Sequence, residues 1–193
     1  ICSRPLPLEK PHPPIYYAAD SPESPIMVAR NGWNLALSRQ PLASCAKAIQ
    51  SYRGERAKHA DLPGSGDAIM VRDIYVADTD EQAWREAGPE ITRFWQLAND
   101  NFWRGDTISP ESLPQHTQRY PYFPGGLTLQ KMDEWGTSLI GSPDTVIKKA
   151  RQMIETAKPD CLVGMVSFGG LKHEQVMHSI ELLGTKVMPA LGA

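Results

Sequence analysis

The chain has 193 residues, 41% of them hydrophobic, with a formal net charge of -2 and a pI near 6.2. That is enough for one domain with a sizeable core, and a charge so near neutral gives no electrostatic reason to expect nucleic acid or an anionic membrane as partner. No apolar run approaches a membrane span and no basic-plus-apolar leader is present, so a cytoplasmic protein is expected.

The chain opens on Ile1 and a proline-rich stretch, Pro5, Pro7, Pro11, Pro13 and Pro14. Residues 1–14 read as an extended lead-in to a strand, joined in mid-course of a longer protein. Ile15 to Ala19 is a short apolar strand that runs into a helix start. Ser21 is placed to cap that helix, with Pro22 at its first position, where a missing N–H is harmless. Outward-pointing N–H groups there would make an anion site, with phosphate the usual anion; a plain N-cap is the competing reading. The helix runs from about Pro22 to Asn31 and stops at Gly32, which enters the left-handed region without strain.

Asn34 to Ser38 is a second strand and Leu42 to about His59 a second helix, followed by a loop from Asp61 to Asp67. Ala68 to Ala77 reads as a third strand, apolar on both faces, as a parallel sheet covered by helices requires. Thr79 and Gln82 form a capping box, and the helix behind it carries Ala83, Ala87, Ile91 and Phe94 at helical spacing. Ser142-Pro143-Asp144 repeats the start signal ahead of a stripe of Val146, Ile147, Ala150, Met153, Ile154 and Ala157. Cys161 to Ser167 is the last strand, and Val176, Ile180 and Leu183 mark the buried face of the closing helix. This alternation implies a parallel sheet, and four or five strands are too few to close a barrel. Residues 103–136 break the rhythm: a long, proline-containing segment with an aromatic group, read either as a lid or as a disordered insertion.

Few residues suggest chemistry by themselves. His173 and His178 lie on different faces of one helix and read as a solvated surface, so no metal site is expected. His12, His59 and His116 have no evident partner. Cys2, Cys45 and Cys161 lack Cys-x-x-Cys spacing and read as reduced packing thiols. No Gly-x-Ser-x-Gly elbow or Gly-x-Gly-x-x-Gly fingerprint is present. Gly169-Gly170 reads as a turn in preference to a point of ligand approach.

Five motifs in series nevertheless resemble the luciferase-like flavin monooxygenases. They are Pro11-His12-Pro13-Pro14-Ile15, Ala19-Asp20-Ser21 with Ser24, Val76-Ala77-Asp78-Thr79, Ile140-Gly141-Ser142-Pro143, and Ser179 to Leu183 with Val187-Met188-Pro189. The resemblance implies the C-terminal half of a (β/α)8 TIM barrel, strands 5–8 with their helices and a long lid-like insertion. It also implies reduced FMN as cofactor, its phosphate held by Asp20, Ser21 and Ser24 and its ring lying against Ala18, Ala19 and Ser38. The implied reaction oxidises a small organic substrate with O2, a separate flavin reductase supplying reduced flavin, in a homo- or heterodimer. The catalytic histidine and remaining phosphate ligands of such enzymes belong to the other half, so no catalytic residue is assigned here. The deazaflavin coenzyme F420 and hydride transfer on the same barrel, or a non-catalytic flavin-binding partner subunit, are the alternatives.

Overall fold

Strand and helix alternate from the first tyrosines onward. Strand β1 (Tyr16–Ala18) leads to helix α1 (Ser24–Arg30), and β2 (Asn34–Ser38) to α2 (Leu42–Arg56), which ends in a 3-10 turn, Ala57–His59. The long β3 (Ala68–Val76) precedes α3 (Asp80–Phe102). Then come α4 (Leu129–Glu134), β4 (Ser138–Gly141), α5 (Pro143–Ala157) and β5 (Cys161–Met165). Helix α6 (His173–Leu182) runs through a π turn, Leu183–Val187, into α7 (Met188–Leu191). The computed structural model describes residues 7–10, 12–102 and 129–192, the side chains of 95–102 and 130 excepted.

Every strand pairing is parallel: β1 with β2, β2 with β3, and β3 with both β4 and β5. Strand β3 serves three partners in sections. Asp67 O and Val71 O accept from β2 and its end (Leu35 N at 2.9 Å, Arg39 N at 3.2 Å), and Ala77 N donates to Gly141 O at 3.2 Å. Ala68 O instead accepts from Asp160 N, beside β5, at 2.8 Å. Alternate peptide groups of a strand face opposite edges, so β2 and β4 share one edge of β3, one beyond the other, and β5 takes the other. The result is an arc β1-β2-β3-β5, with β4 as a short extension that periodicity did not reveal.

One face of the arc carries Leu35, Leu37, Met70, Ile74 and Val76 into the main core, against Val28, Cys45, Ile49 and Tyr52 of α1 and α2 and Val146, Ala150 and Met153 of α5. The other face carries Tyr16, Ala18, Ala36, Ser38, Ile69, Val71, Val163 and Met165, matched in register across the strands. Among the described residues this face is largely open, with Tyr16 44% and Met165 37% exposed. Among the described residues only the C-terminal part of β3 is covered on both sides, where Tyr75 and Ala77 join a second core with Ala83, Ala87, Ile91 and Phe168. Ile69 and Val71 stay half-buried, which corrects the reading of the whole strand as enclosed.

Other expectations need adjusting. The last strand stops at Met165, short of Ser167. Ile154 on α5 is 38% exposed, outside the buried stripe. On the closing helix Ser179 and Leu182 are buried and Ile180 is 40% exposed. A polar contact sets that rotation: Ser179 Oγ accepts from Val76 N at 2.8 Å, satisfying a buried peptide group beyond the end of β5. The box at α3 is half formed, because Thr79 Oγ1 accepts from Gln82 N at 3.1 Å while the Gln82 side chain turns to Glu86. Most of the predicted 103–136 insertion, residues 103–128 with His116, lies outside the described residues, as does Cys2. Its end is not loop, since Leu129–Glu134 is helical and Met132 is 1% exposed.

Candidate functional site

The chain turns immediately after β1. Ala19 N donates to Ala36 O at 3.0 Å, and the Ala19 side chain, 2% exposed, points into the main core. Ser24 N donates to both the carbonyl and the hydroxyl of Ser21, each at 3.2 Å, and the two serine hydroxyls lie 2.7 Å apart. The helix itself begins only at Ser24, with Glu23 in the cap position and Pro25, not Pro22, in its first turn. Ser21 therefore closes a tight turn ahead of a seven-residue helix and does not cap the helix directly. The anion-binding potential of this corner rests on its hydroxyls more than on a helix dipole. Gly32 takes φ +70, as its place after the helix requires.

The next strand end carries charges that the sequence reading passed over. Arg39 adopts φ +55, an uncommon value for a residue with a Cβ. Its fork meets Asp73 in two bonds, Nε to Oδ2 at 2.8 Å and Nη2 to Oδ1 at 2.7 Å. Asp73 is 1% exposed and Arg39 14%. The guanidinium also lies 4.9 Å from the Phe94 ring centroid, and Nη2 is 2.9 Å from Met165 Sδ. Gln40 Nε2 donates to Ala19 O at 2.6 Å and Asp20 Oδ1 at 3.2 Å, tying this loop to the turn after β1. A usable signal was present: Arg72-Asp73 puts two charges in the middle of an apolar strand. Consecutive strand residues face opposite ways, so each charge needs a partner of its own.

The structure thus brings Ala18, Asp20, Ser21, Ser24 and Ser38 to the C-terminal ends of two neighbouring strands. Ala18 and Ser38 lie on the open face, Asp20 is exposed, and both Ser21 and Ser24 are half-buried. Ala19 is the exception, with its side chain on the helix side. Of the three histidines read as having no evident partner, His12 and His59 have contacts and His116 lies outside the described residues; His178, read as solvated surface, is half-exposed and also has one. His178 Nε2 lies 3.2 Å from Asp78 Oδ2, His59 Nε2 lies 3.5 Å from Glu55 Oε1, and His12 Nδ1 lies 2.8 Å from Pro13 O. The His178–Asp78 contact joins residues distant in sequence and leaves no pattern in spacing, whereas Glu55 and His59, four apart at the end of α2, are a pair that spacing could have shown. Cys45 is a buried thiol, whereas Cys161 is exposed and is not a packing group. Gly169, at φ +60, and Gly170 make the turn and also fit against Glu90, whose carboxylate accepts from Gly170 N. Among the described residues no three His, Cys, Asp or Glu side chains converge to hold a metal ion, and no helix is long and apolar enough to cross a membrane.

The family model for luciferase-like monooxygenases matches residues 1–158. The chain is 25% identical over 200 residues to the oxygenase component of the flavin-dependent trigonelline monooxygenase of Acinetobacter baylyi, covering 97% of this chain and 51% of that protein. It is 23% identical over 187 residues to an uncharacterised protein of Sinorhizobium fredii, covering 96% and 51%. The chain spans about half the length of the curated relatives it matches. Its fold is similar to that of the oxygenating constituent of 3,6-diketocamphane monooxygenase from Pseudomonas putida, solved with FMN (TM-score 0.67, 19% identity, 93% of this chain and 49% of that one). It is also similar to the coenzyme F420-dependent tetrahydromethanopterin reductase of Methanopyrus kandleri (TM-score 0.54, 18% identity, 91% and 50%).

Proposed function

The chain belongs to the luciferase-like monooxygenase family, and from that membership we propose that it is part of a flavin-dependent monooxygenase that oxidises a small organic substrate with O2. Reduced FMN is the cofactor in this reading, seated over the C-terminal ends of β1 and β2. The observation that carries it is the pair of half-buried hydroxyls, Ser21 and Ser24, 2.7 Å apart where β1 opens onto an uncovered face.

The residues present fit such a group. While the two hydroxyls are hydrogen-bonded to each other one O–H is left to donate to a phosphate oxygen, and giving up that mutual bond would turn the second donor toward the phosphate as well. Ala18 and Ala36 are small and Ser38 short, so the open face beside them leaves room for a flat ring. Asp20 is unsuited to touch a dianion, and Gln40 already holds its carboxylate; it braces the turn. When bound, the reduced flavin supplies the electrons with which O2 is activated. Ser21 and Ser24 would hold its phosphate end, while Ala18 and Ser38 would flank the ring. Phe94 and Met165, packed about the Arg39–Asp73 pair, would exclude water from one side of the bound ring. A separate flavin reductase belongs to the same reading, supported by the naming of the Acinetobacter relative as an oxygenase component, and a cytoplasmic location is part of the proposal.

The test is a titration of the full-length protein with FMN, riboflavin and coenzyme F420. FMN should bind at least tenfold more tightly than riboflavin. Ser21→Ala should remove roughly ten- to a hundredfold of FMN affinity, the worth of a hydrogen bond to a charged group, about 1.5–3 kcal/mol. Equal binding of FMN and riboflavin by the wild type would remove the phosphate turn. A variant that loses about 1 kcal/mol of stability but no affinity would reduce Ser21 to a brace of the turn ahead of α1. Preferential binding of F420 would replace oxygenation with hydride transfer.

A further inference from the structure

Arg72 lies at the middle of β3, 0% exposed, on the face that packs against the helices. Its contacts among the described residues are all neutral: Nη1 donates to Val71 O at 2.9 Å, and Nη2 lies 3.0 Å from Gln40 O and 3.3 Å from Cys45 Sγ. Nε has no hydrogen-bond partner among the described residues. A buried guanidinium without a carboxylate is expensive to desolvate, and a strand position open to any apolar residue does not call for one. What this one grips is the main chain of the β2–α2 loop.

The next residue of β3 grips the same loop from the other side. Asp73, on the opposite face, holds the Arg39 side chain in two bonds. Consecutive residues of one strand thus clamp consecutive residues of one loop, Arg72 at Gln40 and Asp73 at Arg39. Two anchors of this kind fit the left-handed backbone of Arg39, since an uncommon conformation persists only where its surroundings over-determine it. The clamp leaves one side chain pointing onward. Gln40 Nε2 reaches Ala19 O and Asp20 Oδ1 in the turn that ends in the Ser21–Ser24 hydroxyl pair.

We propose that Gln40 is the positioning residue of the turn over residues 19–24, and that Arg72 and Asp73 act on flavin binding through it. The proposal rests on the reading of that turn as the seat of the FMN phosphate. Gln40 touches no phosphate itself; it fixes the carbonyl of Ala19 and the carboxylate of Asp20, and so the angle at which the two hydroxyls are presented. Without it the turn relaxes, and the carboxylate is free to swing toward the anion.

The experiment measures the ratio of riboflavin to FMN dissociation constants in the full-length protein, wild type against Gln40→Leu and Gln40→Glu. Both variants should lower that ratio about tenfold, mostly through weaker FMN binding. Arg72→Lys, which keeps the charge but loses the fork, should lower it in the same direction. If Arg72→Lys does not fold, the Gln40 pair carries the test, because Gln40 is a half-buried loop residue outside the core. A wild type that prefers FMN with Gln40 variants that keep the same ratio, whatever their melting temperature, overturns the positioning role and leaves the phosphate turn standing. A wild type that binds both flavins equally overturns the turn and this inference with it.

Discussion

Asp73 carries a full carboxylate at 1% exposure on a sheet face otherwise lined by small and apolar side chains. Among the described residues its compensation is the Arg39 fork alone, so the two charges stand or fall together. Asp73→Ala should lower the stability of the full-length protein by about 3 kcal/mol, because it leaves a guanidinium largely buried and unpaired. The double variant Arg39→Met with Asp73→Leu should lose less than the single one. Urea denaturation of the three proteins checks both statements, and an unchanged midpoint for Asp73→Ala would show that the pair contributes nothing. A second sensitive position is Gly141, at the end of β4. A Cβ there would lie 2.7 Å from Thr145 Cγ2 and 2.8 Å from Asp80 Oδ1. Gly141→Ala should cost about 1–3 kcal/mol by overpacking, read by the same denaturation.

Helices α3 and α5 are joined at their starts by one carboxylate. Asp80, in the first turn of α3, accepts from Ser142 N at 2.6 Å and from Thr145 Oγ1 at 2.8 Å. The Ser142 N–H, with the Thr145 hydroxyl, holds the Asp80 carboxyl below its ordinary value of 3.8. A depressed carboxyl contributes stability that is fully present above its unfolded value and disappears as pH falls through the folded one. The wild type should therefore lose stability between about pH 5 and 2 more steeply than Asp80→Asn. Lys58 and Arg30 bring Glu55 down to about 2, so it acts in the same window and is common to both proteins. Chemical denaturation across that range measures the difference in slope, and parallel curves would remove Asp80 as the link. Caps at this scale were partly legible. Ser142 and Thr79 stand where their chemistry placed them, whereas the bridge from Asp80 to Ser142 spans a segment that no local pattern relates.

At the scale of the whole chain, the arc has helices on one side, while much of the other, including Tyr16, Val163 and Met165, is exposed among the described residues. The outer edges of β1 and β5 carry no strand partner among those residues either. Exposed apolar side chains beside unpaired strand edges favour association. The isolated 193-residue chain should therefore self-associate at micromolar concentration and bind an apolar dye, and sedimentation would show it. A monomer that unfolds cooperatively would mean that this face is stable in water by itself.

Apart from α4 and β4, the order of elements, the parallel sheet and the existence of a turn after β1 were legible in the sequence because each is written locally. Two-residue alternation gives strands, the 3.6-residue stripe gives helices, and glycine, proline and hydroxyl residues mark the ends. Family membership was legible too, as motifs in fixed order over nearly the whole chain. The tertiary structure decided what depends on residues distant in sequence. It put β4 on the edge of β3 beyond β2, turned α6 by a hydrogen bond between Ser179 and Val76, and gave Arg72 and Asp73 their opposite partners. It also separated Ala19, which faces the core, from Ala18, which lies on the open face of the sheet. Spacing along a chain records which face a residue shares with its neighbours; which of two faces is the buried one, and what lies across it, is settled only when the strands pair.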